Sequence, residues 1–299
     1  MLRRTFLVGL ALAFACTFAV AQEEEGQVNP NSLLNIPRYE QLYKVRVWRV
    51  IDLREKQNKG FFARGNEITK LLLKAINSGE LADIYKRDSL TEKYSKEEFN
   101  ALMVTQQGEA FPVWAPATDY YQGDAVTFNG KNYEAAVNSK GKNPSTSAEE
   151  WQATTRGQAI RYEASEIFRI ILQEDVIFDK RRSRLYYDML AMQFQAFDQN
   201  TGTFKSLGWF KYKDLEKMFR NHTKDAIWFN RYNTAENKNY ADAFLLRLFR
   251  GVIDMVENPD NDRIADTYSA NQRPYKEAVW AMEWEEMKMM EKEHNLWEY

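Results

Sequence analysis

The stretch Tyr43-Lys44-Val45-Arg46-Val47-Trp48-Arg49-Val50-Ile51-Asp52-Leu53 decides the fold class. Val45, Val47 and Ile51 alternate with Lys44, Arg46 and Asp52, which is the period of a half-buried β-strand. The alternation breaks at Trp48-Arg49-Val50, so on pattern alone a helix stays open. Just downstream the period changes. Asn66 is an expected N-cap, Ile68, Leu71, Leu72, Ala75 and Ile76 follow at helical spacing, and Gly79 supplies a stop. A strand followed by an amphipathic helix gives an α+β chain.

Working outward, residues 112–152 change character. Pro112, Pro116, Gly123, Gly130, Gly141 and Pro144 punctuate short strand-like runs at 125–128 and 133–137, and Asn129-Gly130 between them predicts a type I′ hairpin. This is expected to be a small β insert that needs a tight aromatic core, since it has no disulfide or metal. Beyond it, Ile160, Ala164, Ile167, Phe168 and Ile171 predict a helix. Residues 185–197 and 204–212 predict a hairpin split by Asp198-Gln199-Asn200-Thr201-Gly202. Phe244, Leu245, Leu248, Val252 and Val256, with Leu246, Phe249 and Ile253 on a second face, predict a central helix over 241–256. Residues 258–273 are expected to be a loop, and a last helix runs from about Pro274 to Glu293. No repeat of 20–50 residues is present.

The 299 residues carry 41 Lys+Arg and 43 Asp+Glu, a formal charge of -2, with 44% hydrophobic residues. That balance excludes a disordered tail, a collagen-like rod and a many-span membrane protein, and it argues against a nucleic-acid binder, which needs a basic excess. Residues 1–21 are expected to be a signal peptide. Arg3 and Arg4 form the positive start, an apolar or small-residue stretch follows, and Ala19-Val20-Ala21 fits cleavage before Gln22. Cys16 is the one cysteine, and bulky Phe14 fits a lipid-acceptor run poorly. Cleavage would leave a chain of charge -4 without disulfide or thiolate chemistry. Residues 22–37 are expected to be a polar leader. With no run of 18 apolar residues after Gln22, the expectation is an exported protein that reaches a membrane only through partners, on either side of an outer membrane.

The residues make no positive case for an enzyme or a cofactor. His222 and His294 lie far apart and outside any metal-spaced motif, and His294 is expected to serve the end of a helix. No nucleophile elbow, phosphate loop or dinucleotide fingerprint is present. Glu285-Glu286 and Glu97-Glu98 are expected to be solvated helix faces rather than glycosidase pairs. Asp260-Asn261-Asp262 lacks the Gly and Glu of an EF-hand and is expected to be a turn.

Several segments resemble the GldN/PorN family of type IX secretion and gliding-motility proteins. They are Val47-Trp48-Arg49-Val50-Ile51-Asp52-Leu53-Arg54-Glu55-Lys56, then Glu174-Asp175-Val176-Ile177-Phe178-Asp179-Lys180-Arg181-Arg182-Ser183, then Glu291-Lys292-Glu293-His294-Asn295-Leu296-Trp297-Glu298-Tyr299. The resemblance covers a body at 38–111 and 153–299. It implies a non-enzymatic periplasmic subunit that self-associates in a ring. The implied partners are a GldK/PorK-like outer-membrane lipoprotein and a GldM/PorM-like inner-membrane motor protein.

The insert is where the chain departs from that family. Its pattern of Trp114, Tyr121-Gln122-Gly123-Asp124-Ala125-Val126-Thr127-Phe128-Asn129-Gly130, Tyr133-Glu134-Ala135, Pro144 and Trp151 resembles the family 5/12 carbohydrate-binding module of chitinases. The exposed aromatic pair that chitin binders carry after this point is replaced by Ala136, Val137 and Asn138. Trp114, Tyr133 and Trp151 are therefore expected to form the module's core. As an alternative function the resemblance implies binding of glycan, with peptidoglycan the available one, through Trp114, Tyr120 or Tyr121.

The last helix predicts an interface. Tyr275, Ala278, Val279, Met282, Met289 and Met290 fall on one side, and Trp280, Trp284 and Met287 on the nearly opposite side. Two apolar stripes imply burial on two sides, one by the body and one by a neighbouring subunit or partner. The bland alternative is a helix sandwiched inside its own subunit, which Glu283, Glu285, Glu286, Lys288 and Glu291 make costly.

Overall fold

A computed structural model describes residues 28–106, 111–154, 157, 159–198 and 201–297. The expected signal peptide at 1–21, and the expected leader up to residue 27, lie outside these described residues. The fold is α+β. Its centre is a five-stranded sheet of β1 (Gln41–Asp52), β2 (Ile167–Asp179), β3 (Arg184–Asp198), β4 (Thr203–Lys211) and β5 (Val252–Val256), in the order β4-β3-β2-β1-β5. The 43–53 stretch is thus a strand. It pairs antiparallel with β2 from Tyr43↔Phe178 to Asp52↔Arg169, and antiparallel with β5.

The broken alternation in β1 has a physical cause. Both faces of the strand are covered. Val47 packs with Val176, Ile253 and Met289 on one face. Trp48 packs with Tyr85, Ile171, Ala191, Trp209 and Met255 on the other. The register against β5 slips between Trp48↔Met255 and Arg49↔Ile253, which makes Asp254 the extra residue of a bulge.

Six helices accompany the strands: α1 (Ile68–Ser78), α2 (Lys96–Leu102), α3 (Tyr212–Asn221), α4 (Tyr240–Leu245), α5 (Ile264–Ala270) and α6 (Tyr275–Leu296). Helix α1 buries Ile68, Leu71, Leu72 and Ala75 and ends at Gly79, whose φ of 80° is the left-handed cap that glycine adopts without strain. Asn66 is not its N-cap. Glu67 occupies that position, and Asn66 lies in a two-residue strand and donates from Nδ2 to the Ile227 carbonyl.

Three further expectations change. The segment predicted as a helix from Ile160 is strand β2 from Ile167 onward, because Ile170-Ile171-Leu172 is a fully buried strand run that also happens to match helical spacing. The helix predicted over 241–256 stops at Leu245. Arg247 then takes φ 52°, Gly251 approaches so closely that a Cβ would lie 2.6 Å from the Val50 carbonyl, and β5 follows. Within the predicted loop 258–273, Ile264–Ala270 is helical. The hairpin predicted at 185–212 is present as β3 and β4.

The chain divides into two compact units, one within 1–93, 169–194 and 208–299, the other within 94–168 and 195–207. The second holds α2 and an antiparallel pair between Val104–Gln106 and Ala159–Arg161. It also holds a small three-stranded sheet of Ala125–Phe128, Lys131–Ala135 and Trp151–Thr154. The turn at Asn129-Gly130 has φ 50° and 73°, both positive as a type I′ turn requires. Tyr120, Val126, Ala135 and Trp151 form the core of this sheet, with Trp114 and Tyr133 packed against it.

Candidate interaction surface on the carboxyl-terminal helix

Helix α6 is the longest element, 22 residues or about 33 Å. Pro274 sits just before its first residue in an extended conformation. The inward face buries Ala278, Met282 and Met289. Met289 lies against Val47, Val176 and Ile253 of the sheet, and Tyr43 donates its hydroxyl to Met289 Sδ at 3.8 Å. Tyr275 and Met290, expected on this face, are instead exposed. The inner stripe is completed by acids. Glu293 Oε1 accepts the Leu185 amide at 3.3 Å, and Glu286 Oε2 accepts from Arg49 Nη1 at 2.9 Å.

That last contact joins α6 to a buried ion network. Val47↔Glu174 is a register pair, so the Glu174 side chain shares the Val47 face beneath the helix. Glu174 Oε1 takes Arg49 Nε at 2.9 Å, and Oε2 takes Arg247 Nη1 at 2.7 Å. Burial opposes ionisation of Glu174, yet Arg247 and Arg49 outweigh it and hold the carboxyl below its ordinary value of 4.5. The Arg247 guanidinium also rests 4.1 Å from the Tyr187 ring centroid. Arg247 can reach both groups because its positive φ turns the chain after α4 back toward the sheet. The charged stretch 174–184 is legible in the sequence only as a family likeness, and the part of Glu174 in the network that fastens the last helix is not. The available signal was Arg49, a cation on the core face of a strand.

The outward face carries Trp280, Trp284 and Met287, which are 56%, 56% and 51% exposed. Lys276, one turn earlier, stands 4.8 Å over the Trp280 ring. The two indoles form a ridge between two open recesses. One, of 480 Å³, has Arg250, Gly251 and Val252 as its far wall. The other, of 520 Å³, is closed by Ile264, Thr267 and Tyr268 of α5. The structure thus brings together the three residues predicted as an interface.

The residues named for glycan are disposed differently. Tyr120 is 7% exposed, meets the Trp151 ring edge-on at 5.2 Å, and accepts the Ala115 amide at its hydroxyl. Trp114 is half-buried and edge-on to Phe128 at 5.3 Å. Tyr121 is 64% exposed. Of the three, Tyr121 is the most exposed, Trp114 keeps part of its surface open, and Tyr120 is buried.

His222 Nε2 lies 2.6 Å from Glu80 Oε2, and this hydrogen bond is the main reason the Glu80 carboxyl falls below its ordinary value. Asn258 accepts the Asp262 amide and donates to its carbonyl, which closes the 258–262 turn. Among the described residues no cluster of acids, His or Cys converges on a metal site, and no helix is long and apolar enough to cross a membrane. A family model described as "Gliding motility associated protein GldN" matches residues 36–298. No curated protein matches the chain.

Proposed function

The chain belongs to the GldN family, which associates it with gliding motility and type IX secretion, and on that premise we propose that it is a non-enzymatic structural subunit of that machinery. In this proposal it lies in the periplasm and is held at the outer membrane by a GldK/PorK-like lipoprotein. It contacts a GldM/PorM-like inner-membrane motor protein and further copies of itself in a ring. The observation that carries this is the outward stripe of α6. Taking the exposed half of each indole out of water is worth on the order of 3 kcal/mol at about 25 cal/mol per Å². Trp is also the residue type most enriched at the energetic centres of interfaces. The inner face of the same helix is already tied to the sheet by Met289 and the Glu286–Arg49 pair, so the ridge is presented rigidly.

Replacing Trp280 and Trp284 together by Ala is expected to leave a folded chain with a single thermal transition. The same change is expected to abolish recovery of a ring lipoprotein with it from solubilised envelopes. An unfolded double variant would put these rings in the core. Normal recovery would remove the stripe from assembly. The alternative function, binding of peptidoglycan by the 112–152 segment, is supported by exposed Tyr121 and half-buried Trp114. Pelleting of the whole chain with purified peptidoglycan, unchanged by Tyr121→Ala together with Trp114→Ala, would end it.

A further inference from the structure

A third recess, of 470 Å³, lies in the first unit away from α6 and is independent of the assembly proposal. Its walls are two short segments, one at Lys56–Gly60 and one at Trp228–Tyr232. They are locked to each other. Phe229 donates its amide to the Gly60 carbonyl at 2.9 Å. Trp228 meets Phe61 edge-on, and its Nε1 rests on Gly60 where any Cβ would collide with it. Ile227 and Trp228 pair with Asn239 and Lys238, which fixes the second wall from behind. The recess is therefore built by the fold and is not a gap between loose loops.

Its chemistry is lopsided. Lys56, Lys59 and Arg231 all line it, and the lining contains no carboxylate. Among the described residues none of the three forms an ion pair, in a chain whose formal charge is negative. The Lys59 and Arg231 side chains rest on rings, Phe62 at 5.6 Å and Tyr232 at 5.1 Å. Phe229 and Tyr232 stand out at its mouth, Tyr232 being 87% exposed. Three unpaired cations beside two solvent-facing rings form a patch that a partner of opposite charge would complete.

We propose that this recess binds an acidic peptide segment of a partner protein, with carboxylates on Lys56, Lys59 and Arg231 and an aromatic or aliphatic side chain against Phe229 and Tyr232. A phosphate ligand fits less well. The amides of Phe229, Asn230, Tyr232 and Asn233 are already donated to Gly60, Asn237 and Asn230, so this loop offers no nest of free N–H groups. A neutral glycan also fits less well, because Trp228 is turned edge-on and Arg231 lies against the Tyr232 ring. Carboxylates on side chains can instead be met by flexible lysine tips and a guanidinium fork.

The test uses the whole chain and synthetic decapeptides that alternate Glu with Phe, their Lys-for-Glu counterparts, soluble peptidoglycan fragments, and inorganic phosphate, in binding isotherms at two salt concentrations. The acidic peptide is expected to bind, with a salt dependence, and the Lys counterpart not to bind. Lys56→Gln with Lys59→Gln and Arg231→Gln, all exposed side chains, is expected to weaken binding tenfold or more and to flatten the salt dependence. Lys213→Gln with Lys224→Gln, outside the recess, is expected to change neither. Equal loss in the two variants, no binding of the acidic peptide, or tighter binding of peptidoglycan fragments or phosphate than of the peptide would each overturn the proposal.

Discussion

Glu174 shows what one residue contributes to this fold. It is fully buried and pairs with two guanidinium groups, Arg49, which is itself buried, and Arg247. Glu174→Gln keeps the volume and removes the charge. It is expected to destabilise the chain by about 3–5 kcal/mol in urea unfolding at pH 7, the cost of breaking one side of a buried pair. The pH dependence has a definite sign. A carboxyl held below its ordinary value of 4.5 in the folded chain contributes stability that is fully present above about that pH. The contribution is lost as pH falls through the folded value. The gap between wild type and Glu174→Gln is therefore expected to close below about pH 4.5, and a gap independent of pH would mean that Glu174 is not ionised in the native chain. In the sequence, Arg49 is visible as a break in the alternation of β1. Its partners, 125 and 237 residues away, are not, because side-chain pairing across a sheet depends on a register that local pattern does not encode.

At the scale of elements, α6 separates into a face that stabilises the chain and a face available to a partner. Met282→Ala is expected to cost about 2–5 kcal/mol, the price of a cavity under a helix. Trp280→Ala is expected to cost under about 1 kcal/mol in the same urea titration, since the ring is more than half exposed. Equal losses would mean that both faces belong to the core. The helix and its outward stripe were legible because 22 residues of 3.6-residue period leave little ambiguity. The short elements were not. Residues 241–256 are apolar on two sides, which suits a buried helix and equally a short helix, a turn and a buried strand. The conformation was decided by Arg247 at positive φ and by the close backbone approach at Gly251, neither of which periodicity reports. The cationic recess was unreadable for a related reason, since its two walls lie about 170 residues apart and meet through a backbone hydrogen bond and the packing of Trp228 on Gly60, neither of which local pattern reports.

At the scale of the whole molecule, the composition shift at residues 112 and 152 marked where the β-rich segment lies, but the chain's own pairing suggests a wider and cleaner boundary. Pro112 and Trp114 bond to Thr127, so the first strand-like stretch of the segment begins no later than Pro112. The strand Trp151–Thr154 runs past residue 152 and pairs with Lys131–Ala135. Cutting at 112–152 would remove Trp151 and leave two residues of its strand without partners. Further out, Gln106 and Ala159 are register partners in an antiparallel pair, so their Cα atoms are about 5 Å apart, the span of a two-residue hairpin turn. Replacing residues 107–158 by Asn-Gly is therefore expected to close that pair and leave the remaining chain with one cooperative urea transition. Its midpoint should stay close to that of the full chain, and its m-value should fall in proportion to the surface removed. A broad or absent transition would mean that the β-rich segment is needed for the rest to fold. If the segment is autonomous and the proposed assembly role rests on α6, the shortened chain should also still recover the ring lipoprotein from envelopes. Its loss there, with cooperative unfolding intact, would move part of the partner surface into residues 107–158.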